Sequence, residues 1–180
     1  MIGVILAGGA SRRFGGVAKG AQLLRGQPLA LHVAAALRGV CSSLLLEDNG
    51  DAAYGTLGLT RISAAPVHAG KGPLAGMAAG LKAAGETVAF APCDMPLLTT
   101  DIFRTLAVHA NGAYAISPNG VEPLVCVLPQ SALVVIEDVL WQDDIPRVVD
   151  VFKRVGAVGV SFAEAGPFAN VNTPDDLAQL

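Results

Sequence analysis

Residues 2–19 read IGVILAGGASRRFGGVAK, an apolar run that leads directly into a glycine-rich basic segment. The run Ile2–Leu6 is short and aliphatic, which predicts a buried β-strand. Glycines let backbone N–H groups approach phosphate oxygens, and Arg13 and Lys19 could neutralise the charge of a phosphoryl group in transfer. The segment therefore favours polyphosphate binding over an ordinary glycine-rich connection between a strand and a helix.

Better-known sequence patterns do not fit this segment. A P-loop requires Gly-Lys-Ser/Thr, but Lys19 stands between Ala18 and Gly20. The dinucleotide-binding pattern G-x-G-x-x-G is also absent, because the glycines here come in adjacent pairs. No G-x-S-x-G surrounds Ser11, so a serine hydrolase is disfavoured.

Composition limits the class of protein. The chain has 180 residues, of which 52% are hydrophobic and 15% charged, so we expect one folded domain covering residues 1–180. The net charge of −3 disfavours nucleic acid as a partner. No apolar run reaches the ~20 residues of a membrane span and no basic region precedes the first apolar segment, which predicts a cytoplasmic protein. Cys41, Cys93 and Cys126 lack C-x-x-C spacing and favour reduced thiols over a disulfide set or a zinc site.

Strand-like and helix-like segments alternate along the chain. We predict strands at 2–6, 43–46, 61–65, 87–91, 113–117, 124–128 and 157–162. We predict helices at 28–37, 74–84, 131–141 and 146–154, with two more capped by Thr99 or Thr100 and by Thr173. This alternation predicts an α/β fold, a mostly parallel sheet with helices on both faces. Ligands bind at the carboxyl ends of such strands, so residues 8–19 and 92–96 should lie at the same sheet edge.

Asp94 is the strongest candidate for catalysis. It follows a predicted buried strand and stands between Pro92 and Pro96, which stiffen the backbone around its carboxylate. A fixed carboxylate beside a phosphate loop suits Mg²⁺, which takes one or two carboxylates together with phosphate oxygens and water. The alternative is that Asp94 only caps a turn between the two prolines. The neighbouring Cys93 is predicted to be structural rather than nucleophilic.

Three further positions have both a ligand-binding and a structural interpretation. Gly76 could let a substrate lie against a helix start, or it could serve close helix–sheet packing. Asn170 and Asn172 would point to one side of an extended segment, towards a polar ligand or towards backbone groups of a turn. The histidines show no metal-ligand spacing and are predicted to be surface or helix residues: His32, His68 and His109.

Four motifs together resemble the molybdenum cofactor guanylyltransferase family, a branch of the NTP-dependent nucleotidyltransferases. In chain order they are LAGGASRRFG at 6–15 with Lys19, GPLAG at 72–76, PCDMP at 92–96 and NVNTP at 170–174. The resemblance covers nearly the whole chain, and the NVNTP ending is the motif most particular to the molybdenum cofactor branch.

The resemblance implies a Rossmann-like three-layer fold and one reaction. The phosphate of molybdopterin attacks the α-phosphorus of GTP, giving a guanine dinucleotide cofactor and pyrophosphate. It implies Arg13 and Lys19 on the triphosphate, Asp94 on the nucleotide and on Mg²⁺, and molybdoenzymes or cofactor-delivery proteins as recipients. The nucleotide contacts it implies also include Leu6, Ala7, Gly8 and Gly9. The residues that it implies for the pterin side or the catalytic cleft are Gly76, Asn170 and Asn172.

Three positions depart from the family pattern. The family usually has Asp before the loop lysine, where this chain has Ala18; it often has Asn where Glu47 stands, and commonly Asp where Ala65 stands. Because guanine presents N1–H and an exocyclic amine, a carboxylate can accept from both. We therefore expect Glu47 or Asp48 to supply the carboxylate that Ala65 lacks.

These departures leave several functions open at the level of sequence. A cytidylyltransferase acting on molybdopterin would use the same fold, and so would a nucleotidyltransferase with another phosphorylated acceptor. A non-catalytic nucleotide-binding protein would explain Ala18 and Ala65, but it would not need Arg13, Lys19 and Asp94 together.

Overall fold

The computed structural model of the chain describes residues 1–8 and 18–180. Its strands are β1 (Ile2–Leu6), β2 (Leu23–Leu24), β3 (Gln27–Pro28), β4 (Ser43–Glu47), β5 (Thr60–Ile62), β6 (Val88–Pro92), β7 (Ala113–Ser117), β8 (Gly120–Leu128) and β9 (Val158–Ser161). Its α-helices are α1 (Leu29–Arg38), α2 (Pro73–Ala84), α3 (Thr100–Ala107), α4 (Ala132–Leu140), α5 (Val148–Val155) and α6 (Pro174–Ala178). Short 3-10 turns lie at Lys19–Ala21, Ala52–Tyr54, Pro66–His68 and Gly166–Phe168.

Seven strands form one sheet in the order β5-β4-β1-β6-β8-β7-β9. Strands β5, β4, β1 and β6 run parallel, and β9 runs parallel to β7. Strand β8 is antiparallel to both of its neighbours, β6 and β7. The prediction of a mostly parallel sheet is therefore confirmed, with β8 as the exception.

Alternating side chains of the strands face two separate helical layers. Ile5 and Ala89 pack in a core cluster with residues of α1 and α3, whereas Val4 and Phe90 pack in another with residues of α2, α4 and α5. Side chains of a strand alternate between the two faces of a sheet, so each face needs its own apolar cover. The three-layer α/β fold predicted from the sequence is confirmed.

The register of the central strands sets the position of the site. Leu6 pairs with Glu47 on one side and with Pro92 on the other, so β1, β4 and β6 end at the same edge. The backbone N–H of Cys93 donates to the carbonyl of Leu6 at 3.0 Å, which continues this pairing beyond β6. As predicted, the described ends of segments 8–19 and 92–96 lie together at the carboxyl edge of the sheet.

Local differences from the sequence prediction have identifiable causes. The predicted strand 61–65 is shorter, because Ala65 already begins a 3-10 turn in which its carbonyl accepts from His68 N at 2.8 Å. The predicted strand 124–128 begins at Gly120, because a tight turn joins it to β7 as a hairpin. Thr99 caps α3 without a side-chain hydrogen bond, while the Thr100 hydroxyl donates to the carbonyl of Ala36 at 2.8 Å.

The β2–β3 hairpin was not predicted from the sequence, and its strands have only two residues each. Within residues 1–8 and 18–180, no helix is long and apolar enough to cross a membrane.

Candidate active site

A cavity of about 790 Å³ runs along the carboxyl edge of the sheet. At one end it is lined by Glu47, which closes β4, and by Ala64 from the segment that follows β5. His68, from the same segment, also lines the cavity. At the other end lie Asp94 and Glu122, because the early residues of the antiparallel β8 reach the edge where β6 ends. Among the candidates from the sequence, the cavity lining includes Leu6, Ala7, Gly8, Lys19, Glu47, Gly76, Asp94 and Asn170.

Lys19 connects two of the predicted motifs. Its Nζ donates to Asp94 Oδ2 at 2.5 Å and to Asn172 Oδ1 at 2.8 Å. The Lys19 and Asp94 side chains are only 19% and 20% exposed, so water screens their ion pair less than it would at an open surface. The structure thus brings together three candidates that are far apart in the sequence.

Tyr54 holds the 3-10 turn Lys19–Ala21 in place. The Tyr54 hydroxyl accepts from the backbone N–H of Gly20 at 3.1 Å, and the ring is buried. Cys93 packs against the same glycine and is also buried. Burial raises the pKa of the Cys93 thiol to about 12, and a thiol in that state is a poor nucleophile. This agrees with the structural role predicted for Cys93.

The two oxygens of the Asp94 carboxylate have different surroundings. Oδ2 is engaged by Lys19, whereas Oδ1 is buried and has no hydrogen-bond partner among the described residues. A buried carboxylate oxygen without a partner is costly unless a cation or a donor engages it. No group of three or more His, Cys, Asp or Glu side chains suited to a metal occurs in the part of the chain that the structure describes.

The segment at 170–172 is attached to the same loop. The backbone N–H of Val171 donates to the Asp94 carbonyl at 2.8 Å, and the Val171 side chain is buried. Asn170 and Asn172 on either side are exposed, Asn170 in the cavity lining and Asn172 on Lys19. The alternation predicted for the two amides is present, and both of them face the site.

Helix α6 holds Asn172 in place through the predicted cap. Thr173 and Asp176 form a capping box, and Asp176 Oδ2 also accepts from the backbone N–H of Asn172 at 2.8 Å. The donors on Asn172 and Thr173 lower the pKa of Asp176. The cap therefore serves both the helix and the position of Asn172.

Glu47 lies beneath the other end of the cavity, between two glycines. A Cβ on Gly8 would come within 2.5 Å of Glu47 Oε2, and one on Gly76 within 2.8 Å. The carboxylate occupies space that any larger residue at these positions would take. Gly76, predicted for the pterin side or the catalytic cleft, therefore lies directly against Glu47.

Burial dominates the electrostatics of Glu47. The residue is 3% exposed, and burial raises the pKa of its carboxyl group. The backbone N–H groups of Ala64, Gly8 and Asn49 act on this pKa in the opposite direction. Oε1 has no hydrogen-bond partner within residues 1–8 and 18–180. The cavity thus contains an acceptor whose burial disfavours the charged form until a donor reaches it.

Asp48, the alternative to Glu47, is engaged elsewhere. Its carboxylate pairs with Arg61 Nε and accepts from the backbone N–H of Gly50 at 2.8 Å. Asp48 and Ala65 are both absent from the cavity lining, whereas Glu47 is part of it. The other departure, Ala18, is buried in the core cluster beside α1.

Asn49 and His68 are polar cavity residues that the analysis of the sequence missed. Asn49 lines the cavity near Gly8, and His68 lines it with only 8% exposure. Of the surface or helix position predicted for His68, the structure shows the helix: His68 ends the 3-10 helix Pro66–His68 and is buried beside Trp141. Neither residue belongs to a periodic pattern or a motif that would have indicated its position.

Two predicted site residues, Gly9 and Arg13, lie outside the described residues. Their roles stay predictions from the sequence.

The family model of the MobA-like NTP transferase domain matches residues 3–155. The chain belongs to this family. As a MobA-like NTP transferase it is a nucleotidyltransferase, and the enzyme class expected from the four motifs is confirmed.

Curated relatives match over nearly the full length of the transferase. A molybdenum cofactor guanylyltransferase of Cupriavidus taiwanensis is 36% identical over 189 residues, covering 97% of this chain and 93% of the relative. One of Acidiphilium cryptum is 37% identical over 180 residues, covering 97% of this chain and 90% of the relative. The family resemblance drawn from the motifs is thereby confirmed.

The fold also matches solved structures. Molybdopterin-guanine dinucleotide biosynthesis protein A from Archaeoglobus fulgidus superposes with a TM-score of 0.79 at 22% identity, covering 99% of this chain and 96% of that one. A nucleotidyl transferase from Methanothermobacter thermautotroptrophicus has a TM-score of 0.70 at 17% identity, covering 99% of this chain and 94% of that one. At these identities the likeness concerns the fold alone.

Proposed function

We propose that the protein transfers GMP from GTP to the phosphate of molybdopterin, producing a guanine dinucleotide cofactor and pyrophosphate. The observation that carries the proposal is the joining of Lys19, Asp94 and Asn172 at one end of the cavity. Those three residues come from three of the motifs, in a chain whose curated relatives are molybdenum cofactor guanylyltransferases.

The chemistry requires positioning and charge stabilisation rather than a covalent enzyme intermediate. A phosphate oxygen of molybdopterin attacks the α-phosphorus of GTP, and the bond from that phosphorus to the bridging oxygen of pyrophosphate breaks. Lys19, together with Arg13, neutralises the negative charge that builds up during transfer. Backbone groups at Leu6, Ala7, Gly8 and Gly9, the contacts inferred from the sequence, would hold the nucleotide.

Asp94 fits the role of a Mg²⁺ ligand. Its buried Oδ1 has no partner among the described residues, and Mg²⁺ is commonly held by one or two carboxylates with phosphate oxygens and water. When bound, Mg²⁺ supplies positive charge to the phosphates of the substrate. Lys19 and Asn172 would keep the Asp94 carboxylate oriented for that ligation.

The two ends of the cavity suit different parts of the substrates. Glu47 at one end offers an acceptor for the donor groups of guanine. Asn170 and Asn172 lie at the opposite end, beside Asp94, where they would contact molybdopterin. In this arrangement Gly76 belongs to the nucleotide side, because it lies against Glu47.

The first test is the reaction itself. We would incubate the purified protein with Mg²⁺, molybdopterin and either GTP or CTP, and identify any dinucleotide by mass spectrometry. Product with GTP supports the proposal. Product with CTP alone would move the protein to cytidylyl transfer, and no product with either from folded protein would refute transfer to molybdopterin.

A matched pair of carboxylate variants tests the assigned site. Asp94→Asn should lower kcat by about 10²–10³-fold, because the metal and Lys19 lose their charge partner. Asp150→Asn is the control, since Asp150 pairs with Arg147 and Lys153 at the exposed start of α5. Wild-type kcat in Asp94→Asn would remove Asp94 from the reaction.

A further inference from the structure

His68 is a buried polar residue in the wall of the cavity, and the reaction described above does not use it. Its side chain is 8% exposed and it lines the same cavity as Glu47. Nδ1 is buried and has no hydrogen-bond partner within the described ranges 1–8 and 18–180. Leaving such a group unpaired is costly, so an unpaired nitrogen on a residue that lines a cavity calls for a ligand partner.

Neighbouring groups hold His68 in place. Its ring meets Trp141 edge to face, with centroids 5.2 Å apart and planes at 73°. Its carbonyl accepts from the backbone N–H of Lys71 at 3.1 Å. Lys71 Nζ in turn donates to the carbonyl of Leu140 at the end of α4, and to that of Gln142 at 3.4 Å. The segment that carries His68 is therefore tied to α4 and presents a fixed imidazole.

The lining of the same cavity contains a second unpaired atom. Glu47 pairs in register with Ile62 on β5, so the segment leading to His68 starts beside the Glu47 carboxylate. Glu47 Oε1 is buried and, among the described residues, also lacks a partner. A carboxylate only accepts hydrogen bonds, whereas a neutral imidazole nitrogen can donate one. The lining of this cavity therefore contains both an acceptor and a group able to donate.

We propose that His68 is a specificity-determining residue that reads the guanine of GTP together with Glu47. Glu47 accepts from N1–H and the 2-amino group, and His68 Nδ1–H donates to O6. Adenine presents an amino group where guanine has O6, so the His68 donor would oppose a second donor. This inference rests on the proposed use of GTP.

The test measures nucleotide binding without the transfer reaction. Trp141 is the only tryptophan of the chain and it contacts His68, so its fluorescence should change when a base reaches this wall. We would titrate the full-length protein with GTP, ITP and ATP in the presence of Mg²⁺, following fluorescence and heat. Molybdopterin is not needed, so a failed transfer reaction would leave this measurement intact.

Two variants distinguish the contribution of the His68 ring from that of its Nδ1 donor. His68→Phe keeps an aromatic ring for Trp141 but removes the donor, so we expect Kd for GTP to rise about tenfold with Kd for ATP unchanged. His68→Asn places an amide donor near the position of Nδ1 and should recover most of the GTP affinity. His109→Asn is the control, because His109 lies beyond the end of α3 and outside the cavity lining.

ITP separates the contribution of Glu47 from that of His68. ITP lacks the 2-amino group, so the wild-type protein should bind it more weakly than GTP. His68→Phe should preserve that difference and Glu47→Gln should reduce it.

Wild-type GTP affinity in His68→Phe, or an equal loss for GTP and ATP, would overturn the inference and leave the proposed function standing. Failure of the wild-type protein to bind any of the three nucleotides would overturn both.

Discussion

At the scale of single residues, the ion pair between Lys19 and Asp94 is the feature on which the proposed transfer would depend. Lys19→Ala should reduce kcat by about 10²–10³-fold, because the variant loses charge stabilisation of the transferring phosphoryl group and the support of Asp94. Steady-state kinetics with GTP and molybdopterin would separate this effect from a change in KM.

Lys153→Ala provides the matched control for Lys19→Ala, since Lys153 is exposed and pairs with Asp150 on α5. A rise in KM for GTP with kcat retained would assign Lys19 to substrate binding alone.

A second prediction at the residue scale concerns the effect of Glu47 on the stability of the folded protein. Its pKa is raised in the folded protein, so between the unfolded value and the raised value the folded state binds more protons than the unfolded state. Stability therefore falls as pH rises through that window, and the penalty is fully present above the raised pKa. Glu47→Gln removes the ionisation. Without nucleotide, it should be more stable than wild type at pH 7, with the advantage lost below the ordinary pKa of Glu.

Urea unfolding of both proteins at neutral and acid pH measures this difference. Lower stability of Glu47→Gln at neutral pH would mean that the N–H groups of Ala64, Gly8 and Asn49 outweigh the burial of the charge. The same variant should bind GTP more weakly, so the residue would improve function at a cost in stability.

At the scale of elements, two glycines one turn apart on α2 serve different purposes. A Cβ on Gly76 would approach Glu47 Oε2 to 2.8 Å, whereas one on Gly80 would approach Phe90 Cε1 to 2.8 Å and Val4 to 3.1 Å. Gly76→Ala should displace a flexible carboxylate, leaving the fold intact and weakening GTP binding about 10–100-fold through the lost hydrogen bonds.

Gly80→Ala should affect stability instead of binding. Overpacking costs about 1–3 kcal/mol and the gain in helix propensity returns up to about 1 kcal/mol, so Tm should fall by about 2–4 °C per net kcal/mol. Calorimetry for Tm and titration for GTP affinity would be applied to both variants. Equal effects of the two substitutions on GTP affinity would contradict the separate roles.

The elements that the sequence predicted well are those whose signals are local. Strand β1, the start of α2 at Pro73 and the cap at Thr173 each depend on residues within a few positions of one another. The meeting of Lys19 with Asp94 also followed from the sequence, because parallel strands place their carboxyl ends at one edge.

What the sequence could not predict depends on distant contacts. The burial of His68 depends on Trp141, which lies beyond the end of α4, and on Lys71, which reaches the carbonyl of Leu140. That Glu47 lines the cavity while Asp48 does not goes with the ion pair between Asp48 and Arg61. The positions of His68 and Glu47 thus depend on contacts between distant residues. Such contacts leave no periodic signal in the sequence.

At the scale of the whole molecule, contacts between distant parts of the chain run through the entire fold. Central strand β1 comes from the N-terminus and pairs with β6 from the middle of the chain. Near the C-terminus, Val171 bonds to the Asp94 carbonyl, and its side chain packs with Leu24 and Leu29. These contacts join both ends of the chain to its middle, which favours the predicted single domain over two independent units.

Cooperative unfolding tests that prediction with three probes placed in different layers. Trp141 reports the region beside α4, far-UV circular dichroism reports the helices, and Cys126 reports the interior of β8, where burial raises the pKa of its thiol and suppresses the reactive thiolate. We expect the three denaturant transitions to coincide. GTP with Mg²⁺ at 100 times its Kd should shift them together by about 2.7 kcal/mol. Labelling of Cys126 at denaturant concentrations where Trp141 still reports the native state would show two units, and would refute the single domain over residues 1–180.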